Sequence, residues 1–163
     1  MNRPVLIVLG VVAAVLLVVA SSTLFVVHQT EQAIVLQFGN PIRVERAAGL
    51  KFKMPFVQDV TSYDRRILDL DPPAQEVILS DQKRINVDAF ARFRIVDPLE
   101  FRRRAVTLSN FRQVFGGRLN SAIRSEVAKV DLQDMLTGKR VEVMDRIKDL
   151  VAAVAPEFGV EVV

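Results

Sequence analysis

The sequence predicts an α+β domain behind an N-terminal transmembrane helix, and three observations carry that expectation. Residues 5–27 read VLIVLGVVAAVLLVVASSTLFVV, with no charged side chain. Between residues 32 and 95, apolar and polar residues alternate with period two in short segments parted by turn residues, which is the pattern of half-buried strands. At Asp97-Pro98 the period lengthens to that of a helix and keeps it as far as Pro156. Strands first and helices afterwards point to a mixed or antiparallel sheet followed by helices.

The apolar run has Val5 and Val27 as its limits, leaving residues 1–4 as a short tail. As a helix of about 23 residues it would extend roughly 34 Å, enough for a hydrocarbon core of about 30 Å. A soluble domain would rarely present so long an all-round apolar helix so close to its terminus, which disfavours a buried core helix. Ala20 before Ser21 is a small residue of the kind that precedes signal-peptidase cleavage, so cleavage there is the alternative. Continuation of the run through Leu24, Phe25, Val26 and Val27 favours an uncleaved signal anchor. Arg3 lies on one side and Arg43 and Arg46 on the other, so charge alone sets the orientation only weakly. Gly10 and Ala14 form a small-xxx-small pair of the sort that lets membrane helices pack closely.

After the anchor, residues 28–97 are expected to be β-rich and residues 98–163 mainly helical. Residues 32–38 alternate, placing Gln32, Ile34, Leu36 and Phe38 on one face and Ala33, Val35 and Gln37 on the other. Gly39-Asn40-Pro41 is expected to turn the chain into a second strand over residues 42–46. Residues 50–54 alternate strictly and Pro55 stops them. A weaker strand covers residues 60–70, and Asp71-Pro72-Pro73 ends it. Residues 74–79, the polar turn 80–83 and a long strand over 85–95 form a hairpin pattern. Ile85, Val87, Ala89, Ala91, Phe93 and Ile95 share one face of that strand.

Asp97, Pro98 and Glu100 form a capping-box arrangement for a short helix ending near Ala105. A second helix over residues 110–129 presents Phe111, Val114, Phe115, Leu119, Ala122, Ile123 and Val127 as its apolar stripe. Gly116-Gly117 inside it implies a bend or a close contact. Asp131 starts a short turn, and a third helix over residues 139–155 has Met144, Ile147, Leu150, Val151 and Val154 as its stripe. Pro156 and Gly159 end it. A strand then begins at Val160 and the chain stops in mid-strand at Val163, so the chain is expected to be part of a longer polypeptide.

The chain has 163 residues, a net charge of +3 and no cysteine, which excludes disulfides, thiolate metal sites and cysteine nucleophiles. So modest a charge argues little for nucleic acid. Its one histidine, His28, lies at the membrane boundary, so no Ser-His-Asp set can form within the chain. Ser125 and Lys129 stand four apart on a helix, the spacing of a Ser-Lys dyad, although two exposed polar residues are the simpler reading. Asp69, Asp71 and Asp81 lack a calcium-loop pattern, and Gly116-Gly117 lacks the ending of a phosphate-binding loop. Arg102-Arg103-Arg104 reads as a solvated helix face, or else as a contact for acidic lipid heads. The sharper surface signal is the ridge Leu50, Phe52, Met54 and Phe56, flanked by Lys51 and Lys53. These six are the candidate membrane-interface contacts. No catalytic, metal-ligating or cofactor-binding residue is assigned.

Several of these stretches together resemble the SPFH (band 7, prohibitin-homology) family, and within it the bacterial HflC-type branch. They are Glu31-Gln32-Ala33-Ile34-Val35-Leu36-Gln37-Phe38-Gly39, Gly49-Leu50-Lys51-Phe52-Lys53-Met54-Pro55-Phe56, and Asp64-Arg65-Arg66-Ile67. Further on stand Asp81-Gln82-Lys83, Val87-Asp88-Ala89, Arg92-Phe93-Arg94-Ile95-Val96-Asp97-Pro98, Arg124-Ser125-Glu126-Val127 and Asp131-Leu132. The short N-terminal tail fits the HflC-type branch better than the HflK-type one, whose tail is longer and Gly/Pro-rich. The resemblance implies a non-enzymatic scaffold on the bacterial inner membrane, its N-terminus cytoplasmic and its domain facing the periplasm. It implies a large hetero-oligomer with an HflK-like paralogue, limiting substrate access to an FtsH-like AAA+ protease. The long C-terminal helical region of that family is absent from this sequence. Stomatin- and prohibitin-like relatives share much of the pattern.

Overall fold

A computed structural model describes residues 3–137 and 139–163. Within the first helix, the side chains of residues 3–8, 11 and 14–16 lie outside the described set, as do those of Val5 and Ala14 from the expected span and packing pair. The chain divides into two compact units, Met1–Asp64 and Arg65–Val163. The expected division at residues 97/98 followed the change of period. The boundary between the compact units is a different one and falls earlier, since the sheet made by the later strands belongs to the same unit as the helices.

The first unit opens with α1, Arg3–Thr23, followed by β1, Leu24–Val27. The apolar run expected to be one helix up to Val27 is therefore split. Leu24–Val27 pair antiparallel with β4, Gly49–Phe52, placing Leu24 opposite Phe52 and Val26 opposite Leu50. The Lys53 N–H donates to the Thr23 carbonyl at 2.8 Å, satisfying a helix-end acceptor from the neighbouring strand. Ser21 and Thr23 donate their hydroxyls to the Val18 and Val19 carbonyls, so the polar end of α1 is satisfied within the helix. Among the described residues no helix is long and apolar enough to cross a membrane; that statement does not extend to the undescribed residues of α1.

The second sheet of this unit has β2, Glu31–Gln37, between β3, Asn40–Glu45, and β5, Gln58–Asp64, all antiparallel. Being central, β2 buries Gln32 through Leu36 on both faces, so the alternation read in its sequence is absent from its burial. The turn before β3 is Phe38-Gly39 and not Gly39-Asn40-Pro41. Gln37 already pairs with Asn40, and both loop residues have positive φ, 50° and 84°. Pro41 is accommodated on the edge strand beside a register shift at Val35/Leu36.

In the second unit β9, Ala91–Ile95, lies between β6, Leu68–Leu70, and β10, Val160–Val162. A separate hairpin joins β7, Gln75–Ile78, to β8, Arg84–Val87. The long strand expected over residues 85–95 is thus two strands with different partners, broken at Asp88–Phe90. Its period-two burial survives the break, with Phe93 and Ile95 buried and Phe90 exposed. Likewise, the weak strand expected over residues 60–70 proves to be the end of β5 plus β6.

The helices are α2, Pro98–Arg104; α3, Leu108–Val127; α4, Leu132–Met135; and α5, Lys139–Val154. Asp97 caps α2 by accepting from the Leu99 and Glu100 N–H groups. The reciprocal half of the expected box is missing. Glu100 pairs with Arg103, and the Asp97 N–H instead donates to the Gly159 carbonyl at 2.9 Å. The core of this unit is aromatic: Phe111 lies within 4.7–5.9 Å, centroid to centroid, of Phe93, Phe101, Phe115 and Phe158.

Gly116 supplies the close contact expected of the Gly-Gly pair, since a Cβ there would stand 3.3 Å from Pro72 Cβ. At Gly117 nothing comes near. The buried stripe of α5 is Val143, Ile147 and Val151, while Met144 and Leu150 of the expected stripe are exposed. After α5, a 3-10 turn at Ala155–Phe158 ends on Gly159 with φ of 64°, and β10 returns along β9.

Candidate membrane-facing site

The ridge predicted as one alternating strand has two parts. Leu50 and Phe52 belong to β4, whereas Met54 and Phe56 lie in the turn that follows, and all four are exposed. Leu24 and Val26, directly opposite on β1, are exposed as well, so this two-stranded sheet turns a continuous apolar face outward. Monomeric soluble proteins seldom leave such a face uncovered. Lys51 leans the other way, its Nζ 3.1 Å from Glu45 Oε2, and Arg43 reaches the same carboxylate and also donates to the Phe52 carbonyl. These contacts tie the back of β4 to β3 and leave the front apolar. Lys53 is half-buried beside the end of α1.

The turn after β4 is held by the Gln58 N–H donating to the Met54 carbonyl at 3.0 Å. Gln58 Oε1 accepts from the Met54 N–H at 2.9 Å. Phe56 within it has φ of 65° and is 88% exposed. Leu24 and Val26 escape sequence reading because they extend the apolar run of α1. The signal that could have separated them is Ser21-Ser22-Thr23, a polar break followed by four residues of strand-forming type.

The remaining candidates are placed as follows. His28 is exposed, and its carbonyl accepts from the Glu31 N–H. Ser125 donates its hydroxyl to the Ala122 carbonyl at 2.9 Å, and Lys129 Nζ is bonded to Glu126, so the two do not meet as a dyad. Glu126 is 5% exposed and also lies 3.2 Å from Arg146 Nε, tying α3 to α5. The Lys129 ammonium, aided by Arg146, holds the Glu126 carboxyl below its usual range against the opposing pull of burial. This triad has no signal in the sequence, since Arg146 is 20 positions away. Arg103 of the arginine run pairs with Glu100. Asp81 accepts from the Lys83 backbone and side chain, and among the described residues no group of acidic, His or Cys side chains could hold a metal ion. A shallow groove of about 360 Å³ between α3 and α5 is lined by Phe115, Ala122, Leu150 and Val154, among others.

Set beside known families, residues 25–163 match the model of the SPFH domain / Band 7 family. The chain belongs to that family. Antiparallel sheets together with helices are consistent with its α+β domain. The chain is 28% identical over 146 residues to the Modulator of FtsH protease HflC of Escherichia coli K12, covering 83% of this chain and 43% of that protein. It is 29% identical over 136 residues to Protein HflC of Treponema pallidum, covering 82% and 41%. With the Stomatin homolog PH1511 of Pyrococcus horikoshii it shares 25% identity over 154 residues, covering 94% and 56%. The chain thus spans roughly two fifths of the HflC proteins and just over half of the stomatin homologue.

Proposed function

We propose that this chain is a membrane-anchored scaffold subunit that assembles with an HflK-like paralogue and modulates an FtsH-like protease by controlling its access to substrates. The observation that carries the reading is the similarity of most of this SPFH domain to a protein named for modulating FtsH. In this reading residues 5–27 hold the chain in a bacterial inner membrane, with the N-terminus cytoplasmic and the domain in the periplasm. Val5 to Thr23 cross as α1, and Leu24 to Val27 begin the domain at the interface. Leu50, Phe52, Met54 and Phe56 then rest in the outer leaflet with Lys53 at head-group level. The support for that placement is physical: an apolar helix with no charged residue after Arg3 runs without a linker into a strand pair whose outward face is apolar.

The test is purification of the tagged full-length protein from its own membranes in mild detergent. The expected product is a large complex containing a paralogue and an AAA+ protease; a monodisperse monomer overturns the scaffold. A stomatin-like microdomain scaffold is the second reading, favoured by the 94% of this chain that aligns with the stomatin homologue. A large complex without the protease would select it. A Ser-Lys hydrolase is disfavoured by the engaged Ser125 and Lys129, and unchanged peptide hydrolysis after Ser125→Ala would end it.

A further inference from the structure

We infer that the Phe38-Gly39 hairpin tip is a second lipid contact, an aromatic wedge that works with Phe56 at the same end of the first unit. The inference rests on reading α1 as the membrane anchor and extends the contact to a strand pair that the Leu50–Phe56 ridge does not include.

The first observation is position. Gln37 pairs with Asn40 across the hairpin and with Gln58 across the sheet, so the Phe38-Gly39 tip and the turn from Met54 to Val57 project from the same end of the β3-β2-β5 sheet. The turn in turn begins beside Lys53, whose N–H donates to the last carbonyl of α1, that of Thr23. Hairpin tip, turn and helix exit therefore gather at one end of one compact unit.

The second observation is strain without burial. A two-residue hairpin loop with both residues at positive φ favours Asn-Gly or Gly-Gly, because a bulky side chain is unfavourable there. The chain places Phe at the first position, with φ of 50°, and leaves it 79% exposed. Phe56 repeats the combination. Neither ring contributes to the core, so packing does not account for them; residues held in sparsely populated backbone regions cluster where they serve recognition. Both are also rigidly presented, one by a paired hairpin and the other by the bonds between Met54 and Gln58. A rigid, uncharged aromatic tip beside the exit of an apolar helix fits the acyl chains just below the head groups.

The protein has no tryptophan, so a single substitution gives a clean reporter. Full-length Phe38→Trp, Phe56→Trp and, as a control at the opposite end of the same sheet, Thr30→Trp are reconstituted in phosphatidylethanolamine/phosphatidylglycerol vesicles with brominated acyl chains. The expected result is blue-shifted emission that is largely quenched for Trp at 38 and 56 and unquenched at 30. Quenching at 56 but not at 38 overturns the wedge and leaves the anchor standing. Release of the wild-type chain by alkaline carbonate would overturn the anchor itself. Blue-shifted but unquenched emission at 38 means burial against protein, and also overturns the wedge. Phe38→Asn supplies the independent readout: freed of strain, the hairpin amides of residues 36–40 and 42 should exchange more slowly in detergent. Faster exchange would show that the ring serves folding, which refutes the wedge.

Discussion

Replacing Gly159 by Ala tests how the second unit closes. Gly159 sits at φ of 64°, and a Cβ there would fall 2.3 Å from the Asp97 carbonyl oxygen, 3.0 Å from the Phe101 nitrogen and 3.1 Å from Glu100 Cβ. Two of those three neighbours are backbone at the start of α2, which cannot swing aside as a side chain can. The left-handed conformation alone costs a non-glycine residue about 1–2 kcal/mol. Making room for the methyl also pulls the Gly159 carbonyl from the Val96 and Asp97 N–H groups, now at 3.0 and 2.9 Å, at about 1 kcal/mol for each bond. The sum is about 3–4 kcal/mol, or roughly two to three powers of ten in an opening equilibrium. Amide hydrogen exchange on the full-length protein in detergent reads this directly at β9, β10 and the first turn of α2, where protection should fall by that factor. Gly117→Ala is the matched control. With nothing near its Cβ, it should gain about 1 kcal/mol from helix propensity. Equal exchange in wild type and Gly159→Ala, or an equal loss in Gly117→Ala, would refute the closure argument.

Two further outcomes follow from the same unit. Glu126 has a folded-state pKa below its ordinary 4.5, so its contribution to stability is present above about that pH and disappears as pH falls through the lower folded value. Chemical unfolding followed from pH 7 to pH 3 should show this acid loss, and Glu126→Gln should be less stable at pH 7 with a shallower acid slope. Phe111→Ala removes the ring at the centre of the aromatic cluster and should destabilise the unit by about 3–5 kcal/mol, measured by the same unfolding experiment.

Local chemistry made much of this protein legible. Residues 5–27 read as one apolar helix from composition, which holds as far as Thr23, and the strands from Gln32 and Leu50 onward and over residues 85–95 read from alternation. Asp97-Pro98 announced α2 because a carboxylate before a proline suits a helix start whatever lies around it. Family membership was legible through stretches such as residues 31–39, 49–56 and 92–98 taken together. What sequence could not supply was the partner of each segment. Leu24–Val27 are helix-like by hydropathy and became a strand only because Gly49–Phe52 offered a ladder. The strand expected over residues 85–95 broke because β8 found β7 while β9 found β6 and β10.

The candidate site divides along the same line. That Leu50, Phe52, Met54 and Phe56 form an apolar group was written in their spacing, but whether the group is core or surface depends on what covers it. Only the tertiary structure left it outward, beside Leu24 and Val26, and only backbone geometry exposed Phe38 and Phe56 as residues held in a conformation that suits glycine. The sequence by itself determined which segments are apolar, where α2 starts, and the family. The tertiary structure decided which apolar faces were covered, because burial is a property of pairs of segments and a single segment carries only its half.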